Sequence, residues 1–127
     1  MDLSPGLQAA VETTVTESDT AVALRSGDVE VLGTPAVVAL CEAAAVKAVA
    51  DALGAGRTSV GVRIDIRHLA PTPVGTRVTA HAELTEIDGR YLRFTVTASD
   101  RGGEIARGMH ARVVVDKPRF IEGAHNR

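Results

Sequence analysis

Aromatic side chains are scarce in this chain of 127 residues, which has one Tyr, two Phe and no Trp. The core must therefore be built from Ala, Val, Leu and Ile, whose side chains are smaller. A single cysteine, Cys41, excludes an intrachain disulfide and metal sites of the Cys-x-x-Cys type. Because a small core gives a chain of this length limited stability, we expect dimerisation to contribute.

The sequence also has no block of basic residues and no long apolar run. It contains 14 basic and 16 acidic residues, for a net charge of -2. Nucleic-acid-binding domains concentrate Lys and Arg on one face, so we predict no nucleic-acid partner. No apolar stretch approaches the roughly 20 residues that cross a bilayer, and the N-terminus lacks the pattern of a signal peptide. We therefore expect no membrane association and a cytoplasmic location.

One helix is predicted with clear start and stop signals. Thr34 is a good N-cap, Pro35 suits the first helical position, and Gly54 ends the Ala-rich run, which predicts a helix over 34–53. Its apolar residues cover more than half of the circumference. Such a helix is expected to be largely buried.

Extended segments flank the helix. One or two strands are predicted before it, over Leu7–Thr16 and Thr20–Leu24. Four strands joined by short turns are predicted after it, over 60–68, 78–84, 92–98 and 105–115. Burying both elements favours an antiparallel sheet wrapped around one long central helix, the α+β hot-dog arrangement. We expect a single domain over 1–127, with its core at about 7–116 and a frayed C-terminal tail.

Three residues occupy positions that are consistent with either a catalytic role or a purely structural one. Glu42 lies in the apolar helix, where a buried carboxylate is costly, although it could instead face solvent with Lys47. His68 stands on the inward parity of its strand, in line with four apolar residues, and is either a packed rim histidine or a proton carrier. Thr34 is explained by capping alone, but a helix N-terminus can also stabilise an oxyanion. The inward line on that strand is predicted to be Val60, Val62, Ile64, Ile66 and His68.

Spacing and absent motifs restrict the type of site. Thr34 and Glu42 are eight residues apart, about 12 Å along a helix, so they cannot hydrogen-bond each other directly. Either the helix begins after Thr34, or the site is assembled from two subunits of a symmetric dimer, which we favour. There is no Gly-x-Ser-x-Gly elbow, no phosphate-binding loop and no His-Glu-x-x-His helix, and we predict no metal site.

The motifs that contain these residues resemble the fluoroacetyl-CoA thioesterase type of hot-dog protein from about Val31 to Val115. The matching runs are Gly33-Thr34-Pro35, Leu40-Cys41-Glu42, Val60-Gly61-Val62-Arg63, Arg67-His68-Leu69-Ala70-Pro71-Thr72-Pro73-Val74-Gly75, Asp88-Gly89-Arg90 and Gly108-Met109-His110-Ala111-Arg112. The resemblance implies that Thr34, Glu42 and His68 are catalytic and that Gly61 contacts the substrate. Arg112 is the second predicted substrate-binding residue. It belongs to a set of basic residues that could meet the phosphates of CoA: Arg63, Arg67, Arg112, Lys117 and Arg119.

The resemblance implies hydrolysis of a small acyl-CoA thioester to free acid and CoA. The enzyme would be a homodimer, or a tetramer of paired dimers, and would need no cofactor beyond the CoA of its substrate. The family's best-known member carries phenylalanines just before the helix, but Ala21–Gly33 contains no aromatic residue. We therefore expect another small acyl group rather than fluoroacetyl. The alternative is a non-catalytic acyl-CoA binding or regulatory dimer, and a hot-dog hydratase ranks last because its Asp–His motif is absent.

Overall fold

The chain folds into one antiparallel sheet and two helices. The computed structural model describes residues 1–127. Its elements in chain order are β1 (Gln8–Thr14), α1 (Thr34–Val49), β2 (Arg57–His68), β3 (Arg77–Asp88), β4 (Tyr91–Asp100), β5 (Gly103–Asp116) and α2 (Lys117–His125). The five strands are ordered β1-β3-β4-β5-β2, so β1 and β2 form the two edges. The predicted arrangement of an antiparallel sheet against one long helix is confirmed.

The core lies between α1 and one face of the sheet. Five helix residues are buried at the i, i+4, i+7, i+8, i+12 spacing of one helical face: Val37, Cys41, Ala44, Ala45 and Val49. Buried residues of β3 and β4 face them, including Leu84, Leu92 and Phe94. The opposite side of α1 stays accessible in the single chain, with Val46 at 40% exposure. The expectation of a largely buried helix is therefore met on one face only.

The start of α1 differs from the prediction by one residue. Gly33, not Thr34, is the N-cap, and Thr34 and Pro35 occupy the first two helical positions. The amides of Ala36 and Val37 both donate to the Gly33 carbonyl. Since proline has no N–H, the Thr34 amide is the only free donor left in the first turn. Because Gly33 holds the N-cap position, the Thr34 side chain is not used for capping.

The segments at the two ends of the predicted core differ in part from expectation. Of the one or two strands predicted before the helix, one forms as β1, whereas Thr20–Leu24 is a series of turns that makes only an isolated bridge between Thr20 and Leu32. The tail after Pro118 is not frayed, because Lys117–His125 forms α2, with Pro118 in its first turn, where proline is tolerated. Neither this helix nor α1 is long and apolar enough to pass through a bilayer.

A β-bulge in β2 changes which residues face the helix. Gly61 pairs with Arg112 and Arg63 with Ala111, so Val62 is the extra residue. The alternation therefore shifts by one at Val62, which is 53% exposed. The predicted inward line is right for Ile64, Ile66 and His68 and wrong for Val60 and Val62. Because of the shift, Gly61 and His68 face the same side although they are seven residues apart.

Candidate active site

Polar side chains gather at two places along the inner face of β2. At its C-terminal end, His68 meets the first residue of α1, and we call this the Thr34–His68 pair. Near its N-terminal end, four polar residues of α1, β2 and β5 form what we call the Arg112 cluster: Glu42, Ser59, His110 and Arg112. Gly61 lies against the second group.

The Thr34–His68 pair is joined by a direct hydrogen bond. Thr34 Oγ1 lies 2.8 Å from His68 Nδ1. The contact exists because Thr34 is the first residue of α1, and its hydroxyl is not engaged by the helix backbone. The bond fixes the ring orientation and leaves Nε2 as the nitrogen available for proton transfer. That Nε2 is buried and has no hydrogen-bond partner, which is unfavourable in a purely structural histidine.

Glu42 lies on α1 with its carboxylate directed at β2 and β5. Its side chain is 38% exposed, and Oε2 lies 3.4 Å from Arg112 Nη1. Glu42 therefore faces the sheet and does not lie on the solvent-exposed side of the helix with Lys47. Gly61 permits this position, because a Cβ built there would lie only 2.6 Å from Glu42 Oε2. A methyl group at this position would fit only if the carboxylate moved away from the strand.

Arg112 is held by several acceptors at once. Its Nε donates to Ser59 Oγ at 2.8 Å, and Nη2 donates to the Ser59 carbonyl at 2.9 Å. Burial lowers the pKa of Arg112, and the neighbouring Glu42 opposes this shift. Arg112 is only 6% exposed, and its predicted contact with substrate stays a prediction. Its guanidinium lies beside Glu42.

His110 completes the Arg112 cluster and was not assigned a role from the sequence. It is 2% exposed. Nδ1 lies 2.8 Å from the Arg63 carbonyl, and Nε2 lies 3.1 Å from Arg112 Nη1 and 3.8 Å from Glu42 Oε2. Burial is the main reason that the pKa of His110 is lowered. The sequence signal that could have located it is the alternation of β5, because the alternate residues His110, Arg112 and Val114 lie on the same, buried side of the strand.

The two groups do not meet within one chain. Gly61 and His68 are seven residues apart on β2, or about 23 Å at the usual rise of an extended strand. Thr34 and Glu42 are both in α1, which begins at Thr34. The possibility that the helix starts later and the chain doubles back is thereby removed. The structure thus brings Thr34 to His68, and Gly61 and Arg112 to Glu42, but not the first pair to the second set.

Comparison with known proteins gives a consistent result. A family profile described as fluoroacetyl-CoA-specific thioesterase matches residues 15–118. A curated fluoroacetyl-CoA thioesterase of Streptantibioticus cattleyicolor is 42% identical over 91 residues. That match spans 72% of this chain and 66% of the relative, so the matched segment is about two thirds of the relative's length.

Solved structures match over nearly the whole chain. A variant of the fluoroacetyl-CoA-specific thioesterase FlK, solved with fluoroacetate and CoA, is 34% identical and superposes with a TM-score of 0.86, covering 93% of this chain and 99% of that one. A hot-dog-like protein from Thermanaerovibrio acidaminovorans is 29% identical with a TM-score of 0.88, covering 96% and 90% of the two chains. The predicted hot-dog fold is confirmed.

Proposed function

Because the chain belongs to the fluoroacetyl-CoA-specific thioesterase family, we propose that it hydrolyses a small acyl-CoA thioester to free acid and CoA. The observation that supports this most directly is the 2.8 Å hydrogen bond between Thr34 and His68, two residues separated by 34 positions. Together with Glu42 they are the residues that the family resemblance marks as catalytic. The relative from Streptantibioticus cattleyicolor carries fluoroacetyl-CoA in its name, which supports an acyl-CoA as substrate.

Each proposed role follows from the chemistry of the residue. The Glu42 carboxylate removes a proton from water as the water attacks the thioester carbonyl, or attacks the carbonyl itself to give a transient anhydride. The carbon–sulfur bond then breaks, and His68 Nε2 delivers a proton to the departing CoA thiolate. On the anhydride route, water then hydrolyses the anhydride to release the acid and free Glu42; on either route, the proton taken from water restores His68. Thr34 holds the ring through Nδ1, and the free Thr34 amide is a candidate donor to the thioester oxygen. The reaction needs no metal or redox cofactor.

We further propose that the site is completed across a homodimer. The outer edge of β2 is unpaired, and a free edge of 12 residues is a template for another strand. If β2 pairs antiparallel with its copy around Ile64 and Asp65, Gly61 of one chain comes opposite His68 of the other. The same contact would bring the Thr34–His68 pair of one protomer towards Glu42 of its partner. Two equivalent sites result from the two-fold symmetry.

Exposed apolar surface supports the same dimer. α1 shows an accessible apolar stripe at Ala39, Ala43 and Val46, and Val62 in β2 is also exposed. Exposed apolar side chains together with a free strand edge are typical of a protein interface. A second copy of the chain would cover both features at once.

The acyl group is proposed to be small and not selected for fluorine. The segment before α1 packs directly on the helix start, since a Cβ built at Gly33 would meet the Ala21 backbone at 3.0 Å and Leu24 Cδ1 at 3.2 Å. Leu24 is therefore an aliphatic residue close to Thr34, where no aromatic ring is present. An aliphatic wall favours apolar short acyl chains without the ring edges that could contact a C–F bond.

A thiol-release assay tests the function. Purified protein is given acetyl-, fluoroacetyl-, butyryl-, isobutyryl- and benzoyl-CoA, and Glu42→Ala and His68→Ala are measured in parallel, with circular dichroism as the control for folding. We expect turnover of the small esters and a fall of at least about 100-fold in each variant. Binding of the esters without thiol release above background would contradict the hydrolase function and favour a non-catalytic acyl-CoA binding dimer.

Mixed dimers test the shared site. Glu42→Ala and His68→Ala chains are each inactive alone, but a heterodimer retains one site with both residues intact if the site spans two subunits. Random reassociation of equal amounts should restore about a quarter of wild-type activity. No recovery, with heterodimer formation verified by mass spectrometry, would place each site within one chain.

A further inference from the structure

We propose that His110 is a positioning residue that accepts a hydrogen bond from Arg112 and thereby keeps the guanidinium from closing on Glu42. This inference rests on the role proposed above for Glu42. It concerns a buried histidine that the proposed mechanism does not use, although both of its ring nitrogens are engaged. The consequence would be a carboxylate that stays available for the thioester.

The hydrogen bonds assign the proton on the ring. The Arg63 carbonyl can only accept, so the His110 Nδ1 at 2.8 Å must carry hydrogen. Arg112 Nη1 can only donate, so Nε2 at 3.1 Å must be the unprotonated acceptor. His110 is therefore the neutral Nδ1–H tautomer. Arg63, whose carbonyl accepts this hydrogen bond, directly follows the bulged residue Val62 of β2.

The surroundings favour this neutral state. The ring is 2% exposed and lies 6.2 Å, between centroids, from the Phe94 ring of β4. The charged groups that face it are Arg112 of β5 and Glu42 of α1, while Arg63 of β2 contributes its backbone carbonyl. Burial lowers the pKa of His110, which agrees with a ring that acts as an acceptor over the neutral range.

His110 and Glu42 compete for the same end of Arg112. Nη1 lies 3.1 Å from His110 Nε2 but 3.4 Å from Glu42 Oε2. A close arginine–carboxylate pair has N–O distances of about 2.7–2.9 Å and is often bidentate. Here the guanidinium plane is fixed by Ser59 and His110 together, so Glu42 receives one long contact. Without the imidazole acceptor, the guanidinium could rotate into a close ion pair that makes the carboxylate less basic.

Two variants separate the acceptor from the bulk of the ring. In His110→Gln the side-chain oxygen can replace Nε2 as acceptor, whereas His110→Leu fills similar space and accepts nothing. His81→Leu is the matched control, because His81 lies on the outer face of the sheet, hydrogen-bonded to Gln8 at 2.8 Å. All three are compared with wild type for kcat, KM and the pH dependence of kcat/KM.

We expect His110→Leu to lower kcat by about 10- to 100-fold with little change in KM and to move the acid limb of the profile by about one pH unit to lower pH. His110→Gln should recover most of kcat, and His81→Leu should match wild type. A purely structural role would lower stability without moving the acid limb. Equal losses in the Gln and Leu variants, or an unmoved acid limb, would overturn the proposal.

Two measurements do not depend on turnover. The ¹⁵N spectrum of wild-type His110 should show a protonated Nδ1 and an unprotonated Nε2. A crystal structure of His110→Leu should show Arg112 Nη1 closing on Glu42 to about 2.8 Å. A protonated Nε2, or an unchanged Arg112–Glu42 distance, would overturn the positioning role even in a protein that hydrolyses thioesters. If wild type releases no thiol, the hydrolase function fails, while these two results still decide whether His110 holds Arg112 away from Glu42. Should the Leu variant not fold, the wild-type spectrum and the Gln variant decide it.

Discussion

Replacing Gly61 by alanine would add one methyl group where β2 passes closest to Glu42. The new Cβ would lie 2.6 Å from Glu42 Oε2 and 3.3 Å from both Arg112 Nη1 and His110 Cε1. Ordinary contact begins at 3.4 Å, so the carboxylate oxygen must withdraw by about 0.8 Å, a displacement of the size that disturbs catalytic alignment. Because Glu42 is a flexible side chain at 38% exposure, it can move while the backbone stays in place.

Activity and stability should therefore respond differently. A misplacement of about 1 Å in a reacting group costs about 100-fold in rate, or about 2.7 kcal/mol of transition-state stabilisation. The free energy of unfolding should change by less than about 1 kcal/mol, because alanine is preferred to glycine in a strand and offsets the crowding. Gly61→Ala is thus expected to be a folded protein with poor turnover.

The assay pairs thiol release with urea unfolding. Gly123→Ala in α2 is the matched control, since a Cβ there meets nothing within 4 Å, and it should leave both measurements unchanged. Full activity in Gly61→Ala would refute the placement of Glu42 as the reacting group. A parallel loss of stability would show that the backbone of β2, and not the carboxylate, absorbs the added methyl.

Two further predictions concern residues of α1. Thr34→Val removes the partner of His68 Nδ1 and should lower kcat by about 10-fold or more, while Thr34→Ser should retain most of it; equal kinetics in the two variants would show that the hydroxyl does not orient the ring. Burial, with a smaller contribution from Glu42, raises the pKa of Cys41 from 9.0 to about 11. Between those values the unfolded chain has lost the thiol proton and the folded chain keeps it, so stability is complete below pH 9 and falls as pH rises towards 11, by about 2 kcal/mol. Urea unfolding of wild type and Cys41→Ala from pH 8 to 11 measures this, because the stability of wild type relative to the variant should fall by about 2 kcal/mol over that range, and a constant difference would contradict it.

The sequence predicted most of the fold because its signals are local. Strong alternation and the Asp88-Gly89 turn placed the strands after the helix, and the Ala-rich run placed α1 to within a few residues. The errors have tertiary causes. Thr34 has the chemistry of an N-cap, but Gly33 takes that position, and the Thr34 hydroxyl bonds instead to His68, far away in sequence. The tail was predicted to fray at Pro118, although proline is also favoured in a first helical turn.

The candidate site was predictable in part. Resemblance pointed to Thr34, Glu42 and His68, and residue spacing alone showed that Thr34 and Glu42 cannot touch. The surroundings of Glu42 were not predictable, because they depend on which side of β5 faces α1. In β5 the even-numbered side carries Arg112 and His110 inwards, whereas Met109 on the odd-numbered side is exposed. A buried arginine is rare without partners, and those partners become visible only in three dimensions.

The bulge at Val62 makes the chain tolerant of a change in length at this point. Gly61 and His68 face the same side because one residue between them is left out of the pairing with β5. A relative with one residue fewer would have a regular strand in which both side chains still face the helix, since an even separation preserves the alternation. Deletion of one residue between the glycine and the histidine would therefore leave the composition of the site unchanged. Insertion of a second residue in the same interval would have to be absorbed either by a second unpaired residue or by a shift of the pairing with β5 for the histidine to keep its position.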